Sequence, residues 1–468
     1  MDMSHNFNMH LLGGLAAASV FWLGACAQPQ VAAEAEEVEI VEELVVVEVV
    51  GPETDNLDTS TELDCESLAL ASAGDPEMIA HVGCSGSDFS KPSNEQEEQR
   101  KQAKSVRAGL DWLEKHQSPD GYWDADRFME QDARKDLPAS DGPGNLLNDV
   151  GLTGLALLAI YGEGNTLSTG PRKDSVRAGL SWLMDNQDDQ GLFGKDVGNA
   201  TLYNHAIATL AMSEAFFLAN QSPRLKRPVH KAVKVIQNAR NPYGAWRYSR
   251  TPNGDSDTSV TGWMVFALTS AKSNGVEIHP DVFAGAETWF KSMQDKETGR
   301  VGYAWGDGGG GPGSFTARGR AQEVTFPAEK SEALTAISLL ARIFMTDRER
   351  FTRWQDHPDY EMMKKQVELI AAKPPVWNEE NGSIDFYYWY FATLAMYQWG
   401  GEEGKTWLDT VSKVLLENQR MEHDYDNFYG SWDPVGPWCE EGGRIYSTAL
   451  CTMILELHFR NAEIISNE

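Results

Sequence analysis

Residues 105–123 read SVRAGLDWLEKHQSPDGYW. Val106, Leu110 and Leu113 fall at i, i+4 and i+7 and make one apolar stripe, with Arg107, Asp111, Glu114 and Lys115 on the remaining faces, the pattern of an amphipathic helix. After Gln117 come three residues and then Gly121, and Trp123 follows two positions later. Glycine takes the left-handed conformation that stops a helix, and an aromatic just beyond it can fold back onto the last turn.

The unit recurs. Residues 175–193, SVRAGLSWLMDNQDDQGLF, place Val176, Leu180, Leu183, Gln187, Gly191 and Phe193 seventy positions after their counterparts. Looser copies follow at 229–246 (Gly244-x-Trp246, with Arg240 in place of Gln), 283–294 and 408–419, and a unit at 360–372 has lost the Gln. Between them lie six Ala-, Leu- and Thr-rich segments, 151–161, 205–218, 258–271, 331–344, 388–399 and 447–459. These are apolar on nearly every side, as expected of helices buried on both faces. Alternation of six amphipathic with six buried helices predicts an all-α (α/α)6 toroid.

The Gln-x-x-x-Gly-x-Trp units at Gln117/Gly121/Trp123 and Gln187/Gly191/Phe193 resemble the QW repeats of squalene and oxidosqualene cyclases, a superfamily shared with the protein prenyltransferase β-subunits. The resemblance covers residues 95–461 and implies the toroid fold. It says less about activity, because one fold hosts many functions.

Three regions are expected along the chain. Residues 1–26 read as an export signal, with an apolar run at 11–23 shorter than the ~20 residues of a membrane span. The tetrad Leu23-Gly24-Ala25-Cys26 is similar to the lipobox of bacterial lipoproteins and implies acylation of Cys26, although no Lys or Arg precedes it. Residues 27–91 form an acidic low-complexity tether. Asp2 and sixteen acids from Glu34 to Asp88 supply −17 of the formal net charge of −30, with no Lys or Arg before Lys91. Residues 92–461 are the toroid. This organisation predicts an exported, lipid-anchored protein of the cell envelope, periplasmic or on the outer surface. Cys65 and Cys84 could close a loop in the tether, whereas Cys439 and Cys451 read as free, buried thiols. No CxxC or zinc spacing occurs, no cofactor motif is found, and net acidity argues against nucleic acid as a partner. The glycine run at 308–311 has neither a preceding strand nor a following GK[ST], so it reads as a loop and not a phosphate cradle.

Chemistry is sought at the starts of the buried helices, which line the centre of such a ring. Gly254-Asp-Ser-Asp-Thr-Ser-Val260 is similar to the Asp-x-Asp-Asp-Thr-Ala motif of squalene-hopene cyclases. Aligned on Asp257-Thr258, the position of the proton-donating Asp is Ser256, and a serine hydroxyl cannot protonate an alkene. The prenyltransferase zinc site is absent as well. Asp257, Asp255 and His205 remain as catalytic candidates, with capping as the competing role of Asp257. Trp263, Tyr388, Trp438, Glu441, Arg444 and Tyr446 are the candidates for lining a ligand cavity, and the aromatic run 386–391 must turn some rings inward. The expected function is cavity-based binding or scaffolding at the envelope, with an isoprenoid or other apolar ligand. The alternatives are a divergent cyclase or prenyltransferase-type enzyme, and a polysaccharide-active enzyme using Asp255 or Asp257 opposite Glu440 or Glu441.

Overall fold

The computed structural model describes residues 94–465, apart from 307–311, 317–319, 347–349, 352 and 423–425. The expected signal, Cys26, the tether, Cys65, Cys84 and the glycine run at 308–311 therefore lie outside the described residues.

Thirteen α-helices form among the described residues: α1 Asn94–Lys115, α2 Asp149–Gly162, α3 Lys173–Asp185, α4 Ala200–Leu218, α5 Pro223–Ala239, α6 Thr258–Ser273, α7 Pro280–Ser292, α8 Arg320–Thr325, α9 Ala333–Met345, α10 Tyr360–Ala371, α11 Phe386–Trp399, α12 Gly401–Glu417 and α13 Cys439–Ile465. The six predicted buried segments are α2, α4, α6, α9, α11 and α13. Each packs on the next, and α13 returns to α2, so they close an inner ring. The amphipathic helices α3, α5, α7, α10 and α12 pack outside it, and Gln102 of α1 donates to the Leu455 carbonyl of α13 (2.7 Å). The chain is an (α/α)6 toroid, as its repeats predict.

The repeat has a mechanical role. Gln117 Nε2 donates to the Gly121 carbonyl (2.7 Å) of its own turn and to the Ser175 carbonyl (3.0 Å) of the next outer helix. Gln187 does the same with Gly191 (3.0 Å) and Pro228 (2.9 Å). Gly121 has φ +99°, and a Cβ there would stand 2.6 Å from the Ala178 carbonyl oxygen, so both conformation and close approach demand glycine. The aromatic that follows is fully buried and its indole donates back to the outer helix, Trp123 to Leu113 (2.7 Å) and Trp246 to Ile236 (2.7 Å).

Five of the turns are then locked to the inner helix that follows. The backbone N–H groups of Trp123, Trp246, Val301 and Trp432 donate to the hydroxyls of Thr153 (3.1 Å), Thr261 (3.1 Å), Thr335 (3.2 Å) and Thr448 (3.3 Å). In the second unit Phe193 N–H donates to His205 Nδ1 instead (3.1 Å). Cys439 and Cys451 are free and buried, as expected.

Candidate functional site

Hydrogen bonds join the beginnings of the inner helices and so gather them at one end of the ring. Asn145 and Asn148, before α2, donate to Glu441 at the start of α13 (both 3.1 Å to Oε2). Asn204 of α4 donates to the Leu147 carbonyl (2.7 Å), and Ser331 Oγ to Asp385 Oδ2 (2.9 Å). Tyr203 of α4 donates to Ser259 of α6 (2.8 Å), and Ser259 shares a hydrogen bond with Tyr387 of α11 (2.7 Å).

Asp257 anchors this mouth. One carboxylate oxygen caps α6 by accepting from Val260 N–H (2.8 Å). The other accepts from the Tyr303 hydroxyl (3.2 Å) and stands 3.5 Å from Arg247 Nε. Tyr303 in turn hydrogen-bonds Tyr248, and the Arg247 guanidinium lies over the rings of Tyr248 (5.0 Å) and Tyr303 (5.3 Å). Complete burial pushes the Asp257 carboxyl up to about 7, against the lowering effects of Val260 N–H, Arg247 and Tyr303. Burial also raises the phenols of Tyr203, Tyr303 and Tyr387, so all three remain protonated donors.

Behind the hydroxyls lies an aromatic floor. Trp263 stacks on Tyr390 (6.4 Å, 18°) and meets Phe391 edge-on (5.1 Å), and Phe266 stacks on Phe391 (5.4 Å). Tyr387 contacts Trp263 (6.5 Å) and the half-buried Trp438 at the rim (6.3 Å). Rings from α6 and α11 thus fill the space between these two helices.

Asp257, Trp263 and Trp438 belong to this assembly, and Glu441 is exposed at its edge. Tyr446 is buried, with no hydrogen-bond partner for its hydroxyl among the described residues. Asp255 lies on the surface, paired with Arg247 (2.6 Å).

Three expectations are corrected. Tyr388 points away from the ring centre: its hydroxyl donates to the carbonyls of Ile370 (3.2 Å) and Lys373 (3.0 Å), and its ring packs on Trp407 of α12. Arg444 is buried against the last repeat turn, bound to Asp141, Asp433 (2.8 Å) and Ser431 (3.0 Å). His205 is fully buried with both ring nitrogens engaged, Nδ1 by Phe193 N–H and Nε2 by the Ala232 carbonyl (3.1 Å), and burial pulls its pKa down to about 4. It substitutes for the threonine of the other units and has no free nitrogen for catalysis.

Tyr203, Arg247, Tyr248, Ser259 and Tyr303 were missed, and Tyr387 was covered only as part of the aromatic run 386–391. A signal existed for two of them. Aligning α6 and α11 on their caps, Asp257 and Asp385, puts Ser259 and Tyr387 at the same position, two residues on.

The sequence profile of the squalene-hopene cyclase C-terminal domain matches residues 91–335, 245 of the chain's 468. No curated protein matches. Among solved structures, an inactive variant of the α-1,6-mannanase GH76A of Salegentibacter sp. HEL1_6, in complex with α-1,6-mannotriose, aligns at TM-score 0.52 and 10% identity, over 76% of this chain and 98% of that one. A family 76 α-mannanase of Bacteroides thetaiotaomicron aligns at 0.50 and 10%, over 78% and 97%. A type II terpene cyclase from Scytonema aligns at 0.45 and 13%, over 77% and 97%. At these identities the likenesses concern the fold alone. The profile match spans more than half of the chain, from α1 into α9, and with the QW-type turns it places the chain in the squalene-hopene cyclase C-terminal domain family.

Proposed function

We propose that the protein is a binding protein of the cell envelope, anchored through Cys26, whose toroid mouth holds a saccharide. The observation that carries this reading is the pair of hydroxyl chains at the mouth, Tyr203–Ser259–Tyr387 and Tyr248–Tyr303–Asp257. Ring faces beside fixed hydroxyls suit a ligand that is apolar on its faces and polar on its edges. A long apolar ligand would need a deep cavity, whereas aromatic packing occupies the space between α6 and α11. The mannanase with a similar fold holds a mannose trisaccharide, which accords with this ligand class.

Binding fits the site better than turnover. Asp257 has no exposed surface and spends one oxygen on a helix cap. Ser256, at the position of the cyclase acid, carries no acidic proton. A second reading, an isoprenoid or other apolar ligand, is favoured by one feature: Leu146 and Leu147, beside the start of α2, are 62% and 40% exposed.

Titration of the full chain with neutral oligosaccharides and, separately, with farnesol, read by tryptophan fluorescence, tests the choice. A saccharide that quenches emission and loses about tenfold in affinity with Tyr387→Phe supports the first reading. Response to farnesol alone, or an affinity indifferent to Tyr387, sinks it.

A further inference from the structure

Residues 215–254 contain eight Lys and Arg and no Asp or Glu, in a chain of formal net charge −30. On α5, Leu225, Val229, Ala232, Val233 and Ile236 are buried, which leaves Arg224, Lys226, Arg227, His230, Lys231 and Lys234 on the opposite arc. Arg224, Arg227, Lys231 and Lys234 fall at i, i+3, i+7 and i+10, a row with about 5 Å between neighbours along the axis. Lys226, Arg227, Lys231 and Lys234 make no ion pair with another described residue. Like charges at such spacing repel one another.

The row leads to a cleft. Just past the end of α5, a space of about 340 Å³ opens between the turn at 242–244 and α7, lined among others by Arg240, Tyr243, Thr288, Trp289 and Trp305. Tyr243 and Trp305 are 56% and 37% exposed and meet edge to face at 4.8 Å. Exposed ring faces carry negative quadrupole charge and attract the C–H face of a pyranose. At the edge, Arg240 spends one N–H on the Asp281 carbonyl (2.6 Å) and keeps others for a ligand, and the Thr288 hydroxyl, donating to the Ala284 carbonyl (2.8 Å), can accept. The volume suits a single ring unit and not a large ligand.

We infer that the outer face of α5 and the Tyr243–Trp305 cleft form one docking track for an anionic polysaccharide, with its carboxylates along the basic row and one ring in the cleft. The ligand class rests on the saccharide reading of the mouth, but the residues are separate. On the neighbouring helices the charges are paired, Asp174 with Arg177 on α3 and Glu287 with Lys291 on α7, so the unpaired positive charge keeps to a ribbon one helix wide. A ribbon matches a linear polymer better than it matches a bilayer.

The test is affinity electrophoresis of the full chain through gels containing polygalacturonate, alginate or hyaluronan, with dextran as the neutral control and single-stranded DNA as competitor. The track predicts retardation by at least one uronate polymer, weakened by salt, and about tenfold weaker binding in the triple variant Arg227→Gln, Lys231→Gln, Lys234→Gln and in Tyr243→Ala with Trp305→Ala. The glutamine substitutions keep polar side chains at exposed or half-buried positions and should leave the melting curve unchanged, and neither variant should alter the oligosaccharide response of the mouth. No retardation of the wild type by any uronate polymer, retardation undiminished in the variants, or preference for the DNA overturns the inference. The mouth reading fails separately, through indifference of oligosaccharide affinity to Tyr387→Phe.

Discussion

Gln419 and Ser105, 314 residues apart, are joined by a hydrogen bond from Gln419 Nε2 to the Ser105 carbonyl (2.9 Å), while the same amide donates to Gly430 (2.7 Å). Gln117 and Gln187 make the same two bonds, so the link that couples neighbouring units also closes the ring. Gln419→Ala leaves buried carbonyls unpaired and should lower unfolding free energy by about 1–3 kcal/mol. Urea denaturation measures it. A loss much smaller than that of Gln117→Ala would mean that closure adds nothing to the ring.

Glycine at the repeat turns is predicted to be irreplaceable for a steric reason. Gly121→Ala combines φ +99° with a Cβ 2.6 Å from the Ala178 oxygen, whereas Gly164→Ala, at φ +83°, meets nothing within 4 Å. The second substitution should cost about 1 kcal/mol, from backbone conformation alone, and the first about 3 kcal/mol or more. Equal melting temperatures for the two variants would contradict the close approach.

Asp257 should leave a signature in the pH dependence of stability. Its carboxyl titrates near 7 in the folded chain against the usual 3.8, because burial disfavours the charge. Between those values the folded state keeps a proton that the unfolded chain releases, so unfolding free energy falls as pH rises. Asn is an equally good cap and does not titrate. Relative to wild type, Asp257→Asn should therefore gain stability from about pH 4 to about pH 7, approaching 1.4 kcal/mol per pH unit. His205 acts in the opposite sense: with a folded pKa of about 4 against 6.5, its contribution is lost as pH falls through that window. The two flatten the wild-type profile, so the difference between variant and wild type is the quantity to measure. A difference independent of pH would show Asp257 ionised throughout.

Neighbouring tyrosines should divide binding from stability. Tyr387 shares a hydrogen bond with Ser259 at the mouth, whereas the Tyr388 hydroxyl is spent on the carbonyls of Ile370 and Lys373. Tyr388→Phe should cost about 1–2 kcal/mol of stability and leave ligand affinity intact, and Tyr387→Phe should do the reverse. Calorimetric melting beside a ligand titration separates them, and a shared phenotype would place both rings on one side of α11.

The twelve principal helices, their division into inner and outer rings, and the turns between them were legible because each rests on local spacing. Stripe periodicity, a glycine four residues after a glutamine, and an aromatic two residues later are all encoded within about twenty positions. The same locality explains the misreadings. Tyr388 and Tyr387 are adjacent in sequence, and which of them faces the centre depends on the rotation of α11 about its own axis, set by packing on α9, α12 and α13. His205 read as chemistry because nothing nearby in sequence shows that Phe193 and Ala232 take both of its nitrogens.

The mouth belongs to the tertiary structure altogether. Ser259 meets Tyr203 across 56 positions and Tyr387 across 128, and Asp257 meets Tyr303 across 46. These distances in sequence exceed any helical period, so no pattern of spacing could announce them. Sequence alone determined that this chain would be a ring of paired helices, because a helix and its turn are decided by neighbours along the chain. Which side chains meet at the mouth, and with what charge, was decided by closure of the ring, which brings distant caps together and removes water from one carboxyl among them.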